Sequence, residues 1–417
     1  MQAVWLWLHI VRRRFFPLWW PLILTVLALF GSLWVAEKQR QDYLTAYRAE
    51  IQTQVAKNRQ SPAQDKDSLA RRQKLQREHT LSFSSPTTYL AAYLSTLKAY
   101  GKTPAAMRSV DDTGHPIAAV KTPEAVLRNA AFSDPNVGEL YSAMTELTLV
   151  QQNALVPMMP ARLLANEHTD ESQTPLAILA RYQSLSRFYE YGWYQLQNLV
   201  EQDAGLILIA VLTIVFSLGF TFQRQAATKQ NVLLQLTGVR EERNLVTSFL
   251  LVAVSEVIAG LAVLGGFILS SYLINGPGSF NYPIQEWQHS YALTFVPLYR
   301  MLGRELLLLG LAMLLLTAVV FALTACFGKL IAAIGGSLVV MLLGLIAPTA
   351  WWSPFTYFHV HRIADRYALV DVPITASSTP TVPQSLLTGC LVLLGWTVII
   401  LGAAVIVTFW RGRKEHQ

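Results

Sequence analysis

Three groups of residues in this chain have types and spacing that could do chemistry. Glu256 lies about ten residues inside an apolar run, hence near mid-bilayer if that run spans a membrane. A carboxylate at that depth is costly unless it faces protein or water. Two readings of it stay open: it lines a substrate path between subunits, or it is a protonated or hydrogen-bonded packing residue between spans. His359 and His361 stand two apart beside Tyr357, Phe358 and Arg362. A metal would need further ligands converging on them from elsewhere, so a solvated or anchoring pair is the plainer reading. The third group is the polar stretch Gln223 to Asn244, where Val232, Leu233, Leu236 and Val239 form a small apolar ridge next to Arg240 and Arg243. A cytoplasmic partner would recognise such a ridge as a docking helix through its i, i+3, i+4 anchors. A helix lying flat on the membrane surface is the alternative.

Equally informative is the chemistry that the sequence lacks. It contains no GxxxxGK[ST] phosphate loop, no HExxH, no CxxC and no GxSxG. The expectation is a non-catalytic chain that holds no cofactor of its own.

The elements that must position these residues are read from hydropathy. Six apolar runs fall at 17–36, 204–222, 246–274, 303–327, 329–349 and 385–410. Each approaches or exceeds the ~20 residues that a helix needs to cross the hydrocarbon layer. With 53% hydrophobic residues overall, six such runs are too many for the core helices of a soluble domain. The fold class predicted is an all-α membrane protein of six transmembrane helices, with a mostly helical extracytoplasmic domain, residues 37–203, between helices 1 and 2.

Charge supplies the orientation. The 18 basic and 18 acidic residues of 37–203 cancel, so the net +7 belongs to the membrane half. Arg12, Arg13, Arg14, Arg224, Lys229, Arg240, Arg243, Lys329, Arg411, Arg413 and Lys414 fall on one side, and only Arg300, Arg304, Arg362 and Arg366 on the other. The positive-inside rule then makes both termini cytoplasmic in a multi-pass protein of the cell membrane. The pI near 9.3 reports topology, and a nucleic-acid partner is not expected. The first run is too long for a signal h-region, and Trp34 occupies the position where cleavage after Ala36 needs a small residue, so the run stays as an anchor. Residues 1–16 suit a short interfacial helix, or a plain continuation of the first span, and 411–417 form a cytoplasmic tail. Cys326 and Cys390 belong to opposite ends of their spans and are not expected to pair.

Within 37–203 the polar helix from Glu37 to about Gln60 continues the first span. Further helix starts are marked by Ser or Thr followed by Pro, at Ser85-Pro86, Thr103-Pro104, Thr122-Pro123 and Thr174-Pro175. Apolar residues then recur at helical spacing, as in Tyr89, Leu90, Tyr93, Leu94 and Leu97, or Leu140, Met144, Leu147 and Val150. From Pro175 to Asp203 a long helix is predicted to feed directly into the second span.

Leu236-Thr-Gly-Val-Arg240 followed by an apolar span resembles the cytoplasmic segment before span three of type-2 ABC exporter permeases, with Gly238 where that family usually has proline. Gly276-Pro-Gly-Ser-Phe-Asn-Tyr-Pro-Ile284 is similar to an outer loop of many Gram-positive members. The resemblance implies six spans, a second permease chain, and a separate P-loop ATPase subunit that binds ATP and Mg. It also implies that Val232, Leu233, Leu236, Val239, Arg240 and Arg243 couple that ATPase to the spans. The implied cargo is amphiphilic, peptide-like or lipid-like, and it is moved outward. A sensor subunit that passes no cargo, and a secondary transporter using Glu256 as its proton site, are the alternatives.

Overall fold

The computed structural model describes residues 19–60, 66–81, 83, 85, 88, 90–92, 146–158, 189–223, 241–287, 293–346, 350–358, 360 and 386–415. In chain order the elements are α1 (Trp19–Gln60), α2 (Lys66–Leu81), α3 (Gly192–Glu201), α4 (Ala204–Gln223), α5 (Glu241–Ile274), β1 (Pro283–Trp287), β2 (Leu293–Pro297), α6 (Leu298–Phe327), α7 (Leu330–Ile346) and α8 (Leu386–Glu415), with a 3-10 turn at Pro354–Tyr357.

Each of the six apolar runs lies largely within a helix. In hydrocarbon a lone segment satisfies its backbone polar groups only that way. Four of these helices, α1, α5, α6 and α8, are long and apolar enough to cross a membrane, and the pair α3–α4 would make a fifth as one broken span. The apolar stretch Ala333–Leu343 of α7 is shorter.

As expected, α1 continues through Glu37 into a polar half and runs unbroken for 42 residues. At ~1.5 Å per residue it is about 60 Å long, twice the ~30 Å hydrocarbon layer. Its polar half packs against α2, burying Tyr47 and Ile51, with the Arg48 guanidinium 4.4 Å from the Phe83 ring centre. Ser85 caps as its Ser-Pro sequence predicts, its hydroxyl accepting the Thr88 N–H at 3.3 Å. The other Ser/Thr-Pro starts lie outside the described residues.

Two expectations are corrected. The helix predicted from Pro175 to Asp203 does not feed straight into the second span: α3 and α4 meet at 83°. Asp203 adopts a left-handed backbone (φ 57°), a conformation that Asp tolerates better than most residues, and this ends α3 before α4 begins. The fold is also not purely helical. β1 and β2 pair antiparallel, from Pro283 opposite Pro297 to Trp287 opposite Leu293, in the loop between α5 and α6. Paired prolines, Pro283 and Pro297, close one end of this two-stranded ribbon, with the buried pair Ile284 and Val296 beside them.

The bundle is centred on α6. It is buried along most of its length, whereas α5 and α8 leave Leu250, Val254, Val398 and Ile399 exposed. Toward the end of α6 the rings of Phe220 and Phe321 stack at 3.9 Å, with Phe249 edge-on to Phe321 at 5.6 Å. Gly328 closes α6 in a left-handed cap (φ 63°), and the Arg411 guanidinium of α8 donates to the carbonyls of Ala325 (2.6 Å) and Cys326. A cation on otherwise orphaned C-terminal carbonyls opposes the dipole there and ties α8 to α6. Cys326 and Cys390 are both free, as expected.

Candidate functional site

Glu256 faces the interior of the bundle and is 0% exposed. The sequence explains the direction: a carboxyl that faced lipid would have no partner, and α5 turns Leu250, Val254, Val257 and Leu261 to that side instead. Its partner is Thr317 on α6, whose hydroxyl donates to Glu256 Oε2 at 2.6 Å while also lying 2.9 Å from the Met313 carbonyl. No sequence pattern named Thr317, because the pairing depends on the packing of α5 on α6.

Two further polar contacts cross the bundle. Gln197 of α3 donates to Glu305 of α6 (3.1 Å), both buried, and the hydroxyls of Thr221 and Thr324 meet at 3.1 Å. Between them, α1, α3, α4, α5 and α6 enclose an apolar cavity of about 160 Å³, roofed by Leu196 and Leu199 of α3 and walled by Leu212, Gly260 and Met313. Val257 and Leu261, at its rim, are 42% and 63% exposed, so its mouth lies on the surface that lipid would cover.

Above the bundle, four segments converge on an aromatic and carboxylate hub. Tyr194 of α3 is fully buried; its hydroxyl donates to the Val156 carbonyl (2.6 Å) and accepts the Ser279 N–H (3.1 Å). The Ser279 hydroxyl in turn accepts the Val156 N–H at 3.0 Å. Tyr282 packs edge-on against Tyr194 (5.1 Å) and donates to Glu146 Oε1 at 2.6 Å. Arg40, near the middle of α1, reaches Glu190 at 2.8 Å, and Asn275 donates to the Glu190 carbonyl. Burial pushes the Glu190 carboxyl above the usual carboxylate range, and the charge of Arg40 opposes the shift. Burial, reinforced by Glu190, pushes the Tyr191 phenol up to about 12, so it stays a neutral hydrogen-bonding group. The loop Gly276 to Ile284, singled out in the sequence by resemblance, supplies one side of this hub. The hub's pairing of residues 38 or more positions apart had no local signal.

Of the residues expected to couple an ATPase, Val232, Leu233, Leu236, Val239 and Arg240 lie outside the described residues. Arg243 is exposed on the first turn of α5, followed by the buried Leu245. His359 and His361 also lie outside them, and among the described residues no group of three or more His, Cys, Asp or Glu could hold a metal. No protein-family model matches this chain, and no curated protein or solved structure matches it.

Proposed function

We propose that this chain is the membrane subunit of an ATP-driven exporter of the type-2 ABC class. In this reading six helices span the cell membrane, α4 and α7 included, with both termini cytoplasmic and 37–203 outside. It pairs with a second permease chain and with cytoplasmic P-loop ATPase subunits that supply ATP and Mg, and its cargo is an amphiphilic, peptide-like or lipid-like compound. The observation that carries the proposal is the layout: one anchoring helix prolonged into a stalk, a large polar insertion, then a bundle of apolar helices with basic residues gathered on one side. A lipid-facing apolar cavity under α3 supports an amphiphilic cargo. The chain has no phosphate loop, so the energy must come from a partner, and the ridge at Val232–Val239 with Arg240 and Arg243 is where that partner docks.

A second reading draws on the hub. Because Arg40, Glu146, Tyr194 and Ser279 fasten stalk, outer segment and bundle to one another, motion inside the membrane reaches the outer domain. A sensor or mechanotransmission subunit without cargo uses the same connection.

Affinity purification of the tagged full chain from native membranes tests the proposal. A P-loop ATPase is expected to copurify and to be released by Leu236→Asp or Arg240→Glu. A chain that stays active in membranes yet purifies without any ATPase refutes it. With the complex in hand, cargo accumulation in inverted vesicles separates the exporter from the sensor.

A further inference from the structure

Hydroxyls buried in apolar helices have a default partner, the carbonyl three or four residues back. Thr221, Thr324, Thr397 and Thr408 donate to the carbonyl four back, and Ser271 and Ser337 to the one three back, while Thr317 lies 2.9 Å from the Met313 carbonyl and gives its proton to Glu256. Thr213 and Ser217, one turn apart on α4 and each 1% exposed, do neither, and have no partner among the described residues. Glu256 Oε1 is a third buried oxygen in the bundle of which this is true. Buried polar atoms are nearly always satisfied, by water or an ion where protein does not serve.

Helix register brings these atoms to one level. α4 and α6 run in the same direction, with Gly205 against Leu309, Phe220 on Phe321 and Thr221 on Thr324. That spacing sets Thr213 beside the turn of α6 carrying Thr317. α4 and α5 run in opposite directions, with Gly260 against Leu212 and the rings of Phe220 and Phe249 both on Phe321. That spacing sets Glu256 level with the turn of α4 between Thr213 and Ser217. The two orphaned hydroxyls therefore bracket the Glu256–Thr317 pair.

Among the described residues no basic side chain lies near to balance the carboxyl. α4 and α7 contain no titratable residue before Gln223 and Ile346, and α1 has none between Trp19 and Ala36. On α5 the nearest are Arg243 and Tyr272, and on α8 Cys390 and Arg411 stand toward the two ends. α3 offers Tyr194 and Glu201, beyond the outer end of α4. On α6 the neighbours are Glu305 and Cys326, twelve and nine residues from Thr317, or about 18 and 14 Å along the axis.

We propose that Glu256, Thr213, Ser217 and Thr317 form a site for one small monovalent cation, sodium or a proton carried on water. One positive charge cancels one carboxylate, removing the cost of an unpaired charge at this depth. Hydroxyl and carboxyl oxygens are the ligands that hard cations take, and a divalent ion would leave a net charge uncompensated. The site does not depend on an ATPase partner and holds for any transporter or sensor built on this bundle.

The test uses the full chain in nanodiscs, with whatever subunits copurify. Binding of radioactive sodium is measured together with the thermal midpoint in sodium and in choline chloride at equal ionic strength, for wild type, Glu256→Gln and the double variant Thr213→Val/Ser217→Ala. For a sodium site, wild type binds sodium and is stabilised by it, and the double variant binds at least tenfold more weakly while keeping its midpoint in choline. For a proton site, sodium has no effect, and infrared difference spectra on a pH step contain a carboxyl band that is lost in Glu256→Gln and displaced in the double variant. A wild type insensitive to sodium and without such a band overturns the proposal. So does a response that the double variant retains unchanged.

Discussion

Replacing Tyr194 with Phe removes one oxygen atom from the centre of the hub and leaves the ring. The ring keeps its edge-on contacts with Tyr191 (5.6 Å) and Tyr282 (5.1 Å), so packing loss is small. The hydroxyl is the acceptor for the Ser279 N–H and the donor to the Val156 carbonyl. Each hydrogen bond lost contributes about 1 kcal/mol, and a backbone group left buried without a partner costs 1–3 kcal/mol, so about 2 kcal/mol is a conservative figure for the pair. The Ser279 hydroxyl to Val156 N–H bond survives, and residues 146–158 stay attached but open more often. Two kcal/mol is roughly a 30-fold change in that opening equilibrium. Global unfolding is a poor readout for a membrane chain of several parts. Hydrogen exchange resolved by segment is suited to it: amides of 149–155 are expected to exchange ~30-fold faster in Tyr194→Phe, while those of α6 near Phe321 keep the wild-type rate. If 149–155 exchange within threefold of wild type, the hydroxyl does not hold this segment down. If α6 accelerates equally, the hub and bundle are one cooperative unit and the local reasoning fails.

Three other outcomes are expected. Glu190 has its carboxyl raised in the folded state, so the native hub holds its proton to higher pH than the unfolded chain; stability is greatest below the unfolded value near 4.5 and falls as pH rises through the raised native one. Arg40→Gln removes the charge that limits this loss, and proteolysis of the stalk should separate mutant from wild type far more at pH 7 than at pH 4; equal sensitivity at both would count against the pairing. Gly278→Ala should cost at least ~1–2 kcal/mol for a left-handed backbone, with more from a Cβ placed 2.7 Å from the Tyr191 Cβ, whereas Gly265→Ala, inside a helix with nothing within 4 Å, should not lower the thermal midpoint. After removal of Cys326 and Cys390, Gln52→Cys should react with an impermeant maleimide on intact cells and Lys329→Cys only after permeabilisation; the reverse pattern would invert the topology.

Much of the frame was legible because lipid leaves the backbone few options. The six apolar runs mark helices for that reason, and the inward direction of Glu256 follows from the cost of turning it outward. The Ser85 cap and the continuation of α1 past Glu37 were likewise written locally. What was not legible depends on register between distant segments. Thr317 as the partner of Glu256 and Val156 as the partner of Tyr194 follow from how helices and loops pack, and neither has a sequence period. The break at Asp203 was not legible because its residue types fit a helix and only the backbone angle departs from one. The hairpin strands are five residues each, and a run that short is as compatible with a loop as with a sheet.

The attachment of α1 at Arg40 has a mechanical meaning. Arg40 stands almost midway between Trp19 and Gln60, with about 30 Å of helix on either side. A rigid helix that pivoted at this contact would be a first-class lever with equal arms. A tilt of ~10° would carry its apolar end and its polar end about 5 Å each, in opposite directions. Such a lever neither amplifies nor reduces a displacement; it reverses its sense, so that a movement of the apolar end toward the bundle would swing the polar end away by the same distance.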